Sequence, residues 1–236
     1  GNDTDDWAGT INILAVAVNN NSLIFTGGEN GLFGVYNHSN GVWMNLSGND
    51  TGNWVGITVI SGVAINTNDN LVYTGLTAGK FGVYTHSNGV WTELSTKDTG
   101  DWAGLSQIFS VAVNTNDNLV YTGMDNAKFG VYNNSNEVWM DLSGNVTGSW
   151  AAFYSVAVNT NDNLVYTGTG GSSILSFGVY NHSNGVWMNL TTNDTGDWVT
   201  TKDVRAIAVN TNDNLVYTGL SSGSFGVYNH SNGVWM

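Results

Sequence analysis

The sequence contains neither cysteine nor proline, and each absence removes a class of explanation. Without cysteine there is no disulfide framework, and the composition carries no redox signature. Without proline, slow X–Pro isomerisation does not limit folding. Cations are also scarce: 5 Lys and Arg stand against 18 Asp and Glu, giving a formal net charge of −13 over 236 residues. No basic patch exists to displace counterions from phosphates, so nucleic acid and anionic membrane surfaces are excluded as partners. Charged residues make up only 10% of the chain, and Asn, Ser and Thr take many positions that would otherwise carry charge. No apolar run is long enough to span a bilayer, and no secretory signal pattern is present. Direct membrane contact is therefore not expected. Gly1 aligns with an inter-repeat loop, which suggests a piece of a longer chain whose targeting segment lies elsewhere.

What is present is repetition. FGVY recurs at Phe33, Phe81, Phe129, Phe177 and Phe225, always 48 residues apart. One set of tryptophans, Trp7, Trp54, Trp102, Trp150 and Trp198, opens the copies; another, Trp43, Trp91, Trp139, Trp187 and Trp235, closes them. Together they are all ten tryptophans of the chain. A fixed period in this range signals a solenoid, a propeller or an array.

Within the third copy, Phe109, Val111 and Val113 alternate with Ser110 and Ala112, a period-2 strand signal. Leu119 to Thr122, Phe129 to Tyr132 and Val138 to Leu142 form three more strands, separated by polar or glycine-bearing turns. The last turn holds Asn-Gly at Asn40-Gly41, Asn88-Gly89, Asn184-Gly185 and Asn232-Gly233. That pair predicts a type I′ hairpin with positive φ at both residues. Asn136-Glu137 in the third copy predicts a looser turn or one of another type.

Four antiparallel strands per unit, with no 3.6-residue periodicity, predict an all-β, five-bladed β-propeller. The whole chain, 1–236, is expected to be one domain with repeats 1–47, 48–95, 96–143, 144–191 and 192–236. The small residues Ala17, Ala64, Ala112, Ala157 and Ala208 suit a crowded inner position. Glu93 and Asp141 on the outer strand discourage edge-to-edge pairing. The fifth outer strand is cut short at Val234-Trp235-Met236, with no N-terminal strand left over to complete it. No mixed blade is expected, and the ring is expected to be monomeric and closed by blade packing.

Three resemblances accompany this reading. Ile207 to Tyr217, IAVNTNDNLVY, resembles the V-A-V-N…Y-V-T-N repeat of microbial cell-surface propellers, with Thr211 in place of the family proline and Thr218-Gly219 in place of Thr-Asn. Ser39 to Trp43, SNGVW, resembles a degenerate Asp-box of sialidase-type propellers, lacking its Asp and Thr. Five units of this length are similar in architecture alone to the sugar-binding tachylectin-2-type lectins. These resemblances imply an extracellular or cell-surface propeller, and none specifies a function.

Variation between the copies is concentrated at one end of the blade. The fourth copy is three residues shorter from Trp150 to Val156 and three longer from Gly168 to Phe177, and Lys80, Lys97, Lys128, Lys202 and Arg205 all fall in these segments or in the loops between copies. The candidate ligand-binding residues belong to the loop between copies: Asp50, Asn53 and Trp54; Asp98, Asp101 and Trp102; Asp194, Asp197 and Trp198. An indole face beside carboxylate and amide acceptors suits a sugar, stacking on its C–H surface while accepting from its hydroxyls. The competing expectation is that each tryptophan wedges between blades. The fourth copy, Asn145-Val-Thr-Gly-Ser-Trp150, lacks both acids, and a site there should be weak or absent.

No cofactor is expected. Calcium is conceivable at the Asn-Thr-Asn-Asp-Asn turns (Asp69, Asp117, Asp162, Asp213), yet no EF-type spacing with a terminal Glu occurs, and Asn/Asp turn chemistry explains these residues. His38, His86, His182 and His230 sit on separate blades and are expected to be exposed turn residues. Eleven N-x-S/T sequons occur, a number that repetition inflates. No Ser-His-Asp constellation stands at an unrepeated place, and Arg205, the only arginine, cannot form the arginine cluster of a sialidase. Asp98 and Asp101 could pair as glycosidase carboxylates, but near-copies in other blades predict several equal sites. The chain is therefore not expected to be an enzyme. Its expected role is a multivalent, lectin-like carbohydrate-binding module, with glycans or neighbouring surface proteins as partners. The alternative is a structural or adhesive repeat domain of a larger surface protein.

Overall fold

The computed structural model describes residues 9–49, 55–98, 104, 106–145, 151–170, 177–191 and 202–236. They form an all-β fold of five four-stranded antiparallel blades, the five-bladed β-propeller that the repeat predicts. The first blade comprises β1 (Ile13–Val18), β2 (Leu23–Gly28), β3 (Phe33–Asn37) and β4 (Val42–Asn45). The second comprises β5 (Ile60–Asn66), β6 (Leu71–Leu76), β7 (Phe81–Thr85) and β8 (Val90–Glu93), and the third β9 (Ile108–Asn114), β10 (Leu119–Met124), β11 (Phe129–Asn133) and β12 (Val138–Asp141). The fourth comprises β13 (Ala152–Asn159), β14 (Leu164–Gly170), β15 (Phe177–Asn181) and β16 (Val186–Asn189), and the fifth β17 (Val204–Asn210), β18 (Leu215–Leu220), β19 (Phe225–Asn229) and β20 (Val234–Trp235).

Among the described residues every sheet is one contiguous stretch of chain in simple sequential order, and no blade borrows a strand from another. The truncated β20 still pairs with β19 through Tyr228↔Trp235 and Asn229↔Val234. By its contacts the chain divides into two compact units, Gly1–Val111 and Ala112–Met236.

Each blade is too thin to bury both faces alone, and within each unit the next repeat supplies the cover. In the first unit, the buried Phe33 lies 4.6 Å from the Trp91 ring and 5.5 Å from the Tyr84 ring. In the second, Phe129 lies 4.9 Å from Trp187, and Phe177 lies 4.9 Å from Trp235. These edge-to-face contacts have the geometry that the ring quadrupole favours. Trp91, Trp187 and Trp235 are therefore packing residues, each set on the FGVY phenylalanine of the preceding blade. The fifth blade is the last of its unit, and its Phe225 is 68% exposed where Phe33, Phe129 and Phe177 are 0%.

The glycine after threonine in the second strands of the second and third blades follows from the same packing. A Cβ at Gly75 would come within 2.3 Å of Ile108 Cγ2, and one at Gly123 within 2.7 Å of the Phe153 carbonyl oxygen. The next repeat's first strand lies directly on these glycines, and only glycine fits. The alternating alanines serve the same face: Ala17 and Ala112 join the apolar clusters of their own units. Buried Thr74, Thr122 and Thr167 hydroxyls donate to the Gly82, Gly130 and Gly178 carbonyls across the sheet.

The hairpin joining the third and fourth strands differs from the type I′ expectation. Asn37 pairs with Val42, leaving a four-residue connection in which the Gly41 N–H donates to the Asn37 carbonyl at 2.8 Å. Positive φ falls on the glycine and not on the asparagine: Gly41, Gly89, Gly185 and Gly233 have φ of 72, 71, 72 and 73°. Asn40 instead uses its side-chain oxygen to accept the Val42 N–H at 3.1 Å. Nor is the third copy of another type, because Glu137 takes the same left-handed conformation with φ 59°. The surrounding register holds it there despite its Cβ.

Candidate functional site

The two ends of each blade differ in what their side chains do. At one end lie the Asn-Thr-Asn-Asp-Asn turns between the first and second strands. In the second blade, Asp69 accepts from the Leu71 N–H and from Asn66 Nδ2, both at 3.0 Å. Asn66 Oδ1 accepts the Asn68 N–H at 3.1 Å. Asn70, Asn118, Asn163 and Asn214 all adopt positive φ, a conformation that asparagine tolerates better than most residues.

The same turns tie neighbouring blades together. Asn114 Nδ2 donates to Asn163 Oδ1 at 2.8 Å, Asn159 Nδ2 to Asn214 Oδ1 at 3.0 Å, and Asn19 Nδ2 to Asn70 Oδ1 at 3.3 Å. These bonds link the turns of successive blades as a structural ladder. Among the described residues, no three His, Cys, Asp or Glu side chains are grouped so as to hold a metal.

The histidines at this end are not simply exposed turn residues, which corrects the sequence expectation. His86, His182 and His230 are half-buried. Their rings stand edge-on to Phe25, Tyr121 and Tyr166 of the preceding blade at 5.3, 5.8 and 5.8 Å. Burial holds the His86 and His182 imidazoles below the ordinary value, with the Asp117 carboxylate partly offsetting it for His182. Only His38, on the first blade, is exposed. Burial also raises the Tyr121 and Tyr166 phenols far above their usual range.

At the other end, the two variable segments of each copy meet. Ile13 pairs with Gly28, Ile60 with Leu76, Ala152 with Gly170 and Val204 with Leu220. The Thr77 N–H donates to the Val59 carbonyl at 3.1 Å, and the Ser221 N–H to the Asp203 carbonyl at 3.0 Å. The longer β13 and β14 show part of the altered fourth copy as one added strand pair. Residues 171–176 of its insertion lie outside the described residues. Lys80 and Lys128 immediately precede β7 and β11, while Lys202 and Arg205 flank the start of β17. Lys97 ends the short 3-10 turn Ser95–Lys97 that follows β8.

Of the sugar-site candidates, Asp98 is at this end. Asp98, half-buried, follows that turn, and its N–H donates to the Ser95 carbonyl at 3.1 Å. Asp50, Asn53, Trp54, Asp101, Trp102, Asp194, Asp197 and Trp198 lie outside the described residues. One group that the sequence reading did not assemble is Tyr154, Gly170, Asp203 and Arg205, which the fourth and fifth blades bring together in the second unit. Its signal was the lone arginine at a position held by Leu14, Ser61, Phe109 and Tyr154 in the other copies. No protein-family model matches the chain, and no curated protein matches it.

Proposed function

We propose that the chain is a non-enzymatic, multivalent carbohydrate-binding module of an extracellular or cell-surface protein, with its sugar sites in the loops between blades. The observation that carries this reading is the division of labour within each blade. The constant side chains are consumed by packing and turn formation, whereas the variable segments collect at the end from which the tryptophan-bearing loops run. Trp54, Trp102 and Trp198 supply stacking surfaces, and Asp50, Asp98, Asp101, Asp194 and Asp197 supply acceptors for hydroxyls. Several equal, individually weak sites act together through avidity on a repeating glycan. The resemblance of the blade to V-A-V-N…Y-V-T-N surface repeats and to degenerate Asp-boxes, and of the architecture to tachylectin-2-type lectins, supports the same reading.

The test is a glycan array probed with the wild-type chain and with a variant carrying Trp54, Trp102 and Trp198 all replaced by Ala. Specific glycan binding by the wild type, lost in a variant whose circular dichroism is unchanged, is the expected result. If the triple variant unfolds, the Asp98→Asn, Asp101→Asn pair gives the same readout on a folded chain. Absence of glycan binding by the wild type, or binding untouched by all these substitutions, overturns the reading in favour of an adhesive repeat that contacts proteins.

A further inference from the structure

The single arginine of the chain is held in a defined place. Tyr154 on β13 and Arg205 on β17 occupy the same position in successive blades, following the buried Phe153 and Val204. The Arg205 guanidinium carbon lies 3.9 Å from the centroid of the Tyr154 ring. Its Nη2 donates to Asp203 Oδ2 at 2.5 Å. Gly170, on the adjoining strand, makes room for the arrangement: a Cβ there would come within 2.1 Å of Tyr154 Cε2 and 2.7 Å of Asp203 Cγ. Aromatic ring, carboxylate and glycine thus fix the orientation of a side chain that would otherwise sample many rotamers.

Arg205 is nevertheless open to a ligand. Its side chain is 50% exposed, while that of Asp203 is 23% exposed. Asp203 engages one nitrogen of the fork and leaves the other donors for a second partner. Lys202, half-buried, is the adjacent cation in the chain. In a molecule of net charge −13, the general field repels anions, so an anion would be held only where a cation is fixed in advance.

The geometry points to a carboxylate-binding subsite at Arg205, built for the acid group of a uronic-acid-type sugar; it rests on the glycan-binding reading above and names a ligand class for it. A planar carboxylate matches the edge of the guanidinium fork with two parallel in-plane N–H···O bonds, while the Tyr154 ring covers a face of the same cation. Asp203 orients the arginine and competes with the ligand for it, and an ion pair this open is weak enough to share its donors.

Tetragalacturonate and its fully methyl-esterified form separate charge from sugar shape, and calorimetry or saturation-transfer NMR reads both. The wild type is expected to bind the acid at least tenfold more tightly than the ester. Arg205→Gln is expected to abolish that preference, bringing acid binding down to the level of the ester, with circular dichroism unchanged because the residue is exposed. Asp203→Asn, which frees donors and removes a competing charge, is expected to tighten acid binding severalfold. Equal affinity of the wild type for acid and ester, or a preference that survives Arg205→Gln, overturns the subsite while leaving the glycan-binding reading standing. Acid binding through Arg205 with no neutral glycan bound on the array upholds the subsite and removes the tryptophan loops as sugar sites. Failure to bind either form overturns the subsite.

Discussion

Gly123→Ala places a single methyl group where the fourth blade rests on the third. Its Cβ would lie 2.7 Å from the Phe153 carbonyl oxygen, 2.9 Å from Phe153 Cβ and 2.9 Å from Val156 Cγ2. The first contact is with backbone, so relief requires moving a strand and not merely rotating a side chain. Overpacking of this kind costs about 1–3 kcal/mol, and the backbone clash puts the cost toward the upper end. Gly144→Ala is the matched control, since nothing lies within 4 Å of its added Cβ. That substitution restricts the unfolded chain and is expected to be neutral or to stabilise by up to about 1 kcal/mol. For a chain of this length a change of 1 kcal/mol moves the midpoint by roughly 2–4 °C, so Gly123→Ala should melt about 4–10 °C below wild type. Thermal and urea unfolding followed by tryptophan fluorescence measure both variants. Indistinguishable melting of the two would refute the claim that a neighbouring first strand lies on the glycine.

Two further outcomes follow from local geometry. Glu137→Gly removes a Cβ from a left-handed position that four other copies give to glycine. Relief of about 1–2 kcal/mol of backbone strain outweighs glycine's entropic cost of roughly 0.5–1 kcal/mol, so urea unfolding should show a stability equal to wild type or up to about 1 kcal/mol higher. A clear loss of stability would contradict the assignment. The depressed His86 and His182 imidazoles favour folding in their neutral form. That contribution is complete above the unfolded value of about 6.5 and is lost as pH falls through it toward the folded values. Melting temperature should decline between pH 7 and pH 5, and His86→Gln and His182→Gln should each flatten the decline. An unchanged slope in both variants would remove the histidines from the blade contact.

Strand number and order were legible because each is written five times in side-chain periodicity and turn residues. The errors were conformational. Asn-Gly announced a hairpin correctly, but the four-residue spacing from Asn37 to Val42 decided its turn type, and the asparagine side chain, not its φ, made the second contribution. Glu137 shows register overriding a local preference. His86, His182 and His230 were misread because their burial comes from the preceding blade, which no single repeat encodes. The Tyr154–Arg205 pair was hidden for the same reason: its members stand 51 positions apart and meet only when consecutive copies stack. The role of the loop tryptophans was not legible at all, since stacking on a sugar and wedging between blades call for the same indole.

In the proposed function one end of each blade builds the fold and the other meets a ligand. Amide chemical-shift mapping during titration with the oligosaccharide bound best on the array tests that division directly. Shifts confined to residues 50–58, 98–107 and 194–205 and to the turns between second and third strands are the predicted result. Shifts centred on the turns 66–70, 114–118, 159–163 and 210–214, with the tryptophan loops unmoved, would contradict it.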